Sequence, residues 1–192
     1  MAEHEITIAI LAGGASQRMG RDKAMLEIEG DPLLLRIVRA AQGTGEPVMI
    51  VGRDRPDEWP EPEVRFVSDD VKGIGPLGGL ATALRSSGTD VVLLACDMPM
   101  VTTGAIAWLI DHVDDASRGI VVRNGDRLEP LFAFYPFILL DEIGSMMREE
   151  QYRLRDLVSS FTIIDVPDAL RPALANINTP DDLARISPLQ AR

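Results

Sequence analysis

Short apolar runs rich in β-branched residues alternate with longer amphipathic ones along most of the chain, which is the pattern of a largely parallel sheet covered by helices. Ile6–Leu11 is almost continuously apolar and predicts a buried strand that runs directly into Ala12-Gly13-Gly14. A helix over about 32–42 follows, with Asp31 as its expected N-cap and Pro32 at the first helical position. Strands are expected at Val48–Val51 and, more weakly, at 64–67, then a helix from Pro76 to about Ser87. Residues 91–95 form another apolar run ending at Cys96-Asp97, after which Thr102 or Thr103 can cap a helix reaching about Val113. The alternation then breaks. Residues 120–122 and 131–135 flank Asn124-Gly125, a dipeptide that favours a type I′ hairpin turn, so a local antiparallel element is expected. Helical segments to about Ser160, a strand at 161–166 and a short helix after Thr179-Pro180 complete the reading. The expected fold is α/β: a Rossmann-like three-layer sandwich, mostly parallel, with helices on both faces.

Composition narrows the function classes. At 192 residues and 46% hydrophobic content, the chain suits one domain over 1–192, since roughly 100–200 residues per domain is usual. No linker, repeat or low-complexity stretch divides it. A net charge of −11, from 19 basic and 30 acidic side chains, argues against nucleic acid or an anionic membrane as partner, because such surfaces are met by basic excess. No apolar run approaches the ~18–20 residues of a membrane span, and the first residues lack the basic start of a signal peptide. A cytoplasmic protein is therefore expected. Cys96 is the single cysteine, and His4 and His112 are the two histidines, which removes disulfides, cysteine-cluster zinc sites and multi-histidine metal sites. Among the basic residues only Lys23 and Lys72 are lysines.

The most informative segment is Leu11-Ala12-Gly13-Gly14-Ala15-Ser16-Gln17-Arg18-Met19-Gly20-Arg21-Asp22-Lys23. Paired glycines at the end of a buried strand let backbone N–H groups approach a phosphate, because no Cβ blocks the way. Arg18 and Lys23 can neutralise phosphate charge, one as a planar fork and the other as a point charge. Three cations and one anion fall between Ser16 and Lys23, a local reversal in an acidic chain. A Walker A loop is excluded, since Gly-Lys-Ser/Thr is absent after Gly14. A glycine-rich surface turn with scattered charges is the competing account of the composition.

This segment resembles the signature of the nucleoside-triphosphate transferases that modify molybdopterin, most closely the molybdenum cofactor guanylyltransferases. The resemblance recurs at Ser68-Asp69, at Gly75-Pro76-Leu77-Gly78-Gly79-Leu80 and at Cys96-Asp97-Met98-Pro99. It continues at Glu129-Pro130-Leu131-Phe132-Ala133 and at Asn176-Ile177-Asn178-Thr179-Pro180-Asp181-Asp182-Leu183. It implies nucleotide binding by Leu11, Ala12, Gly13, Gly14, Lys23, Asp69 and Asp97, with Arg18, Lys23 and Asp97 catalytic and Asp97 on Mg²⁺. It implies GTP and molybdopterin as substrates, and as protein partners a donor of molybdopterin and a recipient molybdoenzyme. Asn176 and Asn178 become candidates for the acceptor or the metal shell by resemblance alone, since Thr179-Pro180-Asp181-Asp182 is itself a competent helix start. One departure stands out: where the guanylyltransferases often carry an asparagine after the second strand, this chain has Ile50-Val51-Gly52-Arg53. Related cytidylyltransferases share much of the front loop, and the Glu129-Pro130-Leu131-Phe132 block favours the guanylyl branch by resemblance.

Asp97 also stands on its own chemistry. It lies just beyond the carboxyl end of a buried strand, the edge where ligands collect in open α/β sheets, and a carboxylate there can hold Mg²⁺ against triphosphate oxygens. Capping the next helix is its structural alternative, for which Thr102 competes. Cys96 reads as a small buried hydrophobe. Gly73-Ile74-Gly75-Pro76-Leu77-Gly78 is a literal G-x-G-x-x-G, which by itself suggests a nicotinamide or flavin enzyme. The polar stretch 68–72 separates it from the preceding strand, against the fingerprint's requirement. A non-catalytic GTP-binding module is the remaining alternative. Trp59, among Pro56, Pro60 and Pro62, reads as a partly exposed packed side chain or a contact loop.

Overall fold

The computed structural model describes residues 5–13, 22–71, 73–115 and 117–177. Seven strands form one sheet in the order β5-β4-β1-β6-β8-β7-β9. These are β1 (Ile6–Leu11), β4 (Val48–Val51), β5 (Arg65–Val67), β6 (Asp90–Ala95), β7 (Ile120–Asn124), β8 (Arg127–Tyr135) and β9 (Thr162–Asp165). β1 pairs in parallel with β4 and β6, and β4 with β5. β8 runs antiparallel to both β6 and β7, and β7 pairs in parallel with β9. β8 is thus the one reversed strand in this sheet. A separate two-stranded sheet joins β2 (Glu27–Ile28) to β3 (Asp31–Pro32).

Period-two alternation assigns each strand's residues to opposite faces, and both faces are covered. On one side Ile6, Ile8 and Ile10 of β1 and Val92 and Leu94 of β6 pack with α1 (Leu33–Gln42) and α3 (Thr103–Ile110). On the other, Ala9, Val91 and Leu93 pack with α2 (Pro76–Ser87), α4 (Leu140–Arg148) and α5 (Leu154–Leu157). Two apolar clusters on one sheet make the expected three-layer sandwich. Among the described residues no helix is long and apolar enough to cross a membrane.

Several local expectations are corrected. Asp31 does not cap α1: it pairs in β3, Pro32 precedes the helix without a capping side chain, and the Asp31 carboxylate accepts from Arg39 Nη1 at 2.8 Å. The hairpin turn sits one residue later than Asn124-Gly125, because Asn124 pairs with Arg127 and leaves Gly125 and Asp126 as the loop. Gly125 has φ 62° whereas Asp126 has no positive φ, so this is not the type I′ turn, which needs both. α3 ends at Ile110 rather than Val113, and Thr102 is its cap, accepting from Ala105 N at 3.2 Å. Thr103 instead donates to Ala40 O at 2.8 Å. Trp59 is buried, edge-on to Phe66 with ring centroids 5.3 Å apart, which ends the contact-loop reading. The helix expected after Thr179-Pro180 lies outside the described residues.

Candidate active site

At the carboxyl edge of the parallel strands the sheet opens into a cavity of about 370 Å³. Main-chain pairing carries the strand ends into it: Ala12 N donates to Val51 O at 2.9 Å, Gly52 N to Val67 O at 2.8 Å and Cys96 N to Leu11 O at 3.1 Å. Glycine is required where two of these ends touch. A Cβ on Gly13 would stand 2.6 Å from Gly52 O, and Gly52 itself has φ 93°. The two backbones meet with no side chain between them. Gly79 in the first turn of α2 makes a similar allowance, since a Cβ there would stand 2.8 Å from Leu11 Cδ2.

Leu11, Gly13, Lys23, Asp69 and Asp97 all line this cavity. Ala12 does not; it is buried beneath the others and pairs with Val51. Gly14, Arg18 and Asn178 lie outside the described residues. Asp69 comes up beside Gly52, whose Cβ position would be 3.3 Å from Asp69 Oδ2. Lys23 opens a 3-10 turn, Lys23–Met25, capped by Asp22, whose carboxylate accepts from Ala24 N at 3.1 Å. The Lys23 ammonium lies 3.5 Å from Ile177 O, long for a hydrogen bond.

Asp97 has an unusual environment. Its Oδ1 is buried without a hydrogen-bond partner among the described residues. Burial pushes its carboxyl above the ordinary range, and the Lys23 ammonium and a backbone hydrogen bond oppose that shift. Because Thr102 caps α3, the capping role is not available to explain Asp97. Beside it the Cys96 thiol is pushed up to about 12, by burial first and then by Asp97 and Asp22. A thiol held so firmly protonated is no nucleophile.

The segment 175–177 returns to this corner. Ile177 N donates to Asp97 O at 2.8 Å, so Asn176 sits one residue from that link. Its Oδ1 is a second buried oxygen without a partner among the described residues. Of the five such atoms there, Asp97 Oδ1, Asn176 Oδ1, Arg53 Nε and Arg53 Nη1 belong to this end of the molecule, and the fifth is Trp59 Nε1. Buried polar atoms are normally paired, so their concentration at this end of the molecule is unusual. Among the described residues no group of three His, Cys, Asp or Glu side chains gathers to hold a metal ion.

The Glu129-Pro130-Leu131-Phe132 block, noted in the sequence only by resemblance, has a structural role here. Between Val121/Ala133 and Val122/Glu129 the β7–β8 register shifts, leaving 130–132 unmatched on β8. Pro130 has no N–H for a ladder, and Tyr135 Oη donates to its carbonyl at 2.7 Å. The bulge gives Leu131 to the cavity wall. It also brings Glu129 within electrostatic range of Asp97: burial raises the Glu129 carboxyl, Arg127 opposes and Asp97 adds to the rise. The proline inside a strand pattern was the signal available for this feature. Gly73 and Gly75 also line the cavity, but β5 ends at Val67 and Gly75 precedes α2 with φ 81°. Their G-x-G-x-x-G spacing therefore follows a loop, and it is not a dinucleotide fingerprint.

Residues 8–164 match the model of the MobA-like NTP transferase domain. The chain belongs to this family. A probable molybdenum cofactor guanylyltransferase of Opitutus terrae is 35% identical over 190 residues, with 92% of each chain covered. One of Synechococcus elongatus is 32% identical, covering 90% of this chain and 93% of the relative. The crystal structure of molybdopterin-guanine dinucleotide biosynthesis protein A from Archaeoglobus fulgidus superposes with a TM-score of 0.79 at 25% identity, covering 96% of this chain and 98% of that one. The MobA-like fold and nucleotidyltransferase class follow, and the oxidoreductase alternative falls.

Proposed function

We propose that the protein transfers GMP from GTP to the terminal phosphate of molybdopterin, releasing pyrophosphate and forming the molybdopterin guanine dinucleotide cofactor. The observation that carries this reading is the meeting of Gly13, Lys23, Asp69 and Asp97 in one cavity at the carboxyl edge of the sheet. A glycine approach, a point cation, an acid near the opening and a partly desolvated carboxylate are the parts that binding a nucleoside triphosphate asks for. The guanylyltransferase names of the relatives support GTP as the donor and molybdopterin as the acceptor.

In this reaction an oxygen of the acceptor phosphate attacks the α-phosphorus. A new P–O bond forms, the α–β bridging P–O bond breaks, and pyrophosphate leaves with the electron pair. A phosphate monoester has a second pKa near ~6, so its oxygen is ionised at neutral pH and needs no general base. Catalysis is then positioning and charge neutralisation. Lys23 faces the charge that builds on the phosphates, Arg18 adds a second cation from the front loop, and the backbone at Gly13 and Gly14 admits phosphate oxygens. Asp69 takes the ribose or base end. Asn176 and Asn178 are acceptor or metal-shell candidates by the family resemblance.

The site suits Mg²⁺. Asp97 Oδ1 is buried and unpartnered and its residue lines the cavity; Asn176, whose Oδ1 is also unpartnered, neighbours Ile177, which is tied to Asp97 by a backbone hydrogen bond, but it does not line the cavity. Hard oxygen donors in small number match a cation that keeps water and phosphate as its other ligands. When bound, the ion would neutralise the triphosphate oxygens. A cytidylyl donor is the second reading, since this chain has Ile50-Val51-Gly52-Arg53 where the guanylyltransferases often carry an asparagine, and the related cytidylyltransferases share much of the front loop. Pyrophosphate release is measured with molybdopterin and Mg²⁺, offering GTP, CTP, ATP and UTP separately. Preference for GTP is expected; preference for CTP moves the protein to the neighbouring branch, and turnover with none of them sinks the transferase reading.

A further inference from the structure

We infer that Arg53 is a positioning residue for Lys23, acting through Asp22, an inference that rests on the nucleotidyl transfer proposed above. Arg53 follows Gly52 at the end of β4, and its side chain is 17% exposed. Its Nη2 pairs with Asp22 Oδ2 at 3.0 Å. The other Asp22 oxygen accepts from Ala24 N at 3.1 Å and caps the turn that opens with Lys23. One carboxylate is therefore shared between the guanidinium and the turn. Moving it moves the backbone that carries the ammonium.

Two features make this more than a surface ion pair. Arg53 Nε and Nη1 are buried and find no hydrogen-bond partner among the described residues, so the contact with Asp22 dominates the orientation of a poorly hydrated charge. The Asp22 side chain is 43% exposed, so the pair is half-buried and only partly screened by solvent. In addition, Gly52 and Arg53 are consecutive and bear on both ends of the front segment: Gly52 on Gly13 by backbone contact, Arg53 on Asp22 by charge. The end of β4 thus braces the glycine approach and the lysine turn together. Lys23 in turn reaches Ile177 O, and Ile177 is tied to Asp97. Arg53 is not among the described residues lining the cavity, which makes its action on a bound nucleotide indirect.

The test compares Arg53→Gln, Lys23→Gln and the double variant in pyrophosphate release, with melting temperatures alongside. Small displacements of a positioned group cost up to about 100-fold; Arg53→Gln is expected to lower kcat/KM by about 10- to 100-fold on that basis. The double variant should be no slower than Lys23→Gln alone, and Arg53→Lys, which keeps a cation near Asp22, should recover part of the loss. Losses that multiply across the cycle overturn the proposal. Asp22→Asn retains a capping oxygen but drops the charge, and it serves if Arg53→Gln does not fold. A second arm needs no turnover. In the Lys72→Arg protein, reductive ¹³C-methylation leaves Lys23 as the only labelled lysine, and its NMR resonance should shift when Arg53→Gln is added. An unmoved resonance overturns the proposal even if no nucleotide proves to be a substrate. Failure of the transferase reading appears instead as wild-type protein inactive with every triphosphate.

Discussion

The sheet has two halves that treat polar groups in opposite ways. In the half beyond the reversed strand β8, Arg123 and Asp165 on the parallel neighbours β7 and β9 form a two-pronged pair at 2.6 and 2.7 Å, with side chains 45% and 68% exposed. In the parallel half, Arg53 is mostly buried, makes one charged contact and leaves two nitrogens unpaired, while Asp97 and Asn176 each leave an oxygen unpaired. A buried polar atom without a partner costs on the order of 1–3 kcal/mol. Such costs persist where the missing partner belongs to a ligand. One half pairs its charges with each other, and the other leaves unused hydrogen-bonding capacity just beyond the carboxyl ends of β4 and β6 and at Asn176.

Asp97→Ala is the strongest way to break this contrast. We expect turnover to fall roughly 10²- to 10³-fold, the scale for removing one electrostatic partner of a transition state. The fold should survive. Burial raises the Asp97 carboxyl, so its ionised form destabilises the folded state above the ordinary carboxylate range, and the melting temperature at neutral pH should stay level or rise. Wild-type activity in this variant, read by pyrophosphate release, would remove Asp97 from the reaction.

Paired glycine substitutions sharpen the comparison at the next level. Gly13→Ala drives a Cβ to 2.6 Å from Gly52 O, between two backbones that cannot rotate away. It should cost about 1–3 kcal/mol in denaturant unfolding and also depress nucleotide binding. Gly119→Ala drives a Cβ to 2.3 Å from the buried Phe161 ring, with a similar cost of about 1–3 kcal/mol. Gly119 precedes β7, at the sheet edge opposite the cavity, so its kcat and KM should be unchanged. Equal losses of activity in the two variants would erase the distinction.

The smallest effect is expected at Asp165→Asn. The Arg123 hydrogen bond holds the Asp165 carboxyl below its ordinary value against the opposing effect of desolvation, and the Arg123 and Arg171 charges add to the lowering. A depressed carboxylate contributes stability that is present above its unfolded pKa and is lost as pH falls through the lower folded one. The wild type should therefore exceed the variant slightly at neutral pH. That difference should fade on acidification below the ordinary carboxylate range, and it should shrink in salt. A gap that widens toward low pH would contradict the assignment.

Much of this was legible along the chain, because strands and helices announce themselves by period. β1, β4 and α2 fall where the apolar pattern puts them, and Asp97 follows β6 as the edge rule anticipates. Where expectations failed, a local rule met a tertiary competitor. Asp31 was a sound cap by sequence, but pairing with Ile28 and the reach of Arg39 took it elsewhere. Asn124-Gly125 had the chemistry of one turn, yet the register of β7 against β8 extended the ladder and shifted the loop by a residue.

By itself the sequence determined the alternation of elements, the glycine-and-cation segment at the first strand end and the family to which the chain belongs, since these depend on short-range periodicity and on the chemistry of adjacent residues. Only the tertiary structure decided that Gly13 must face Gly52, that Arg53 answers Asp22, that the Pro130 bulge carries Glu129 toward Asp97, and that Asn176 comes home to the same corner. Each of these joins residues far apart in the chain. Their burial and pairing arise when the sheet brings its strand ends together, and no pattern of nearest neighbours encodes that meeting.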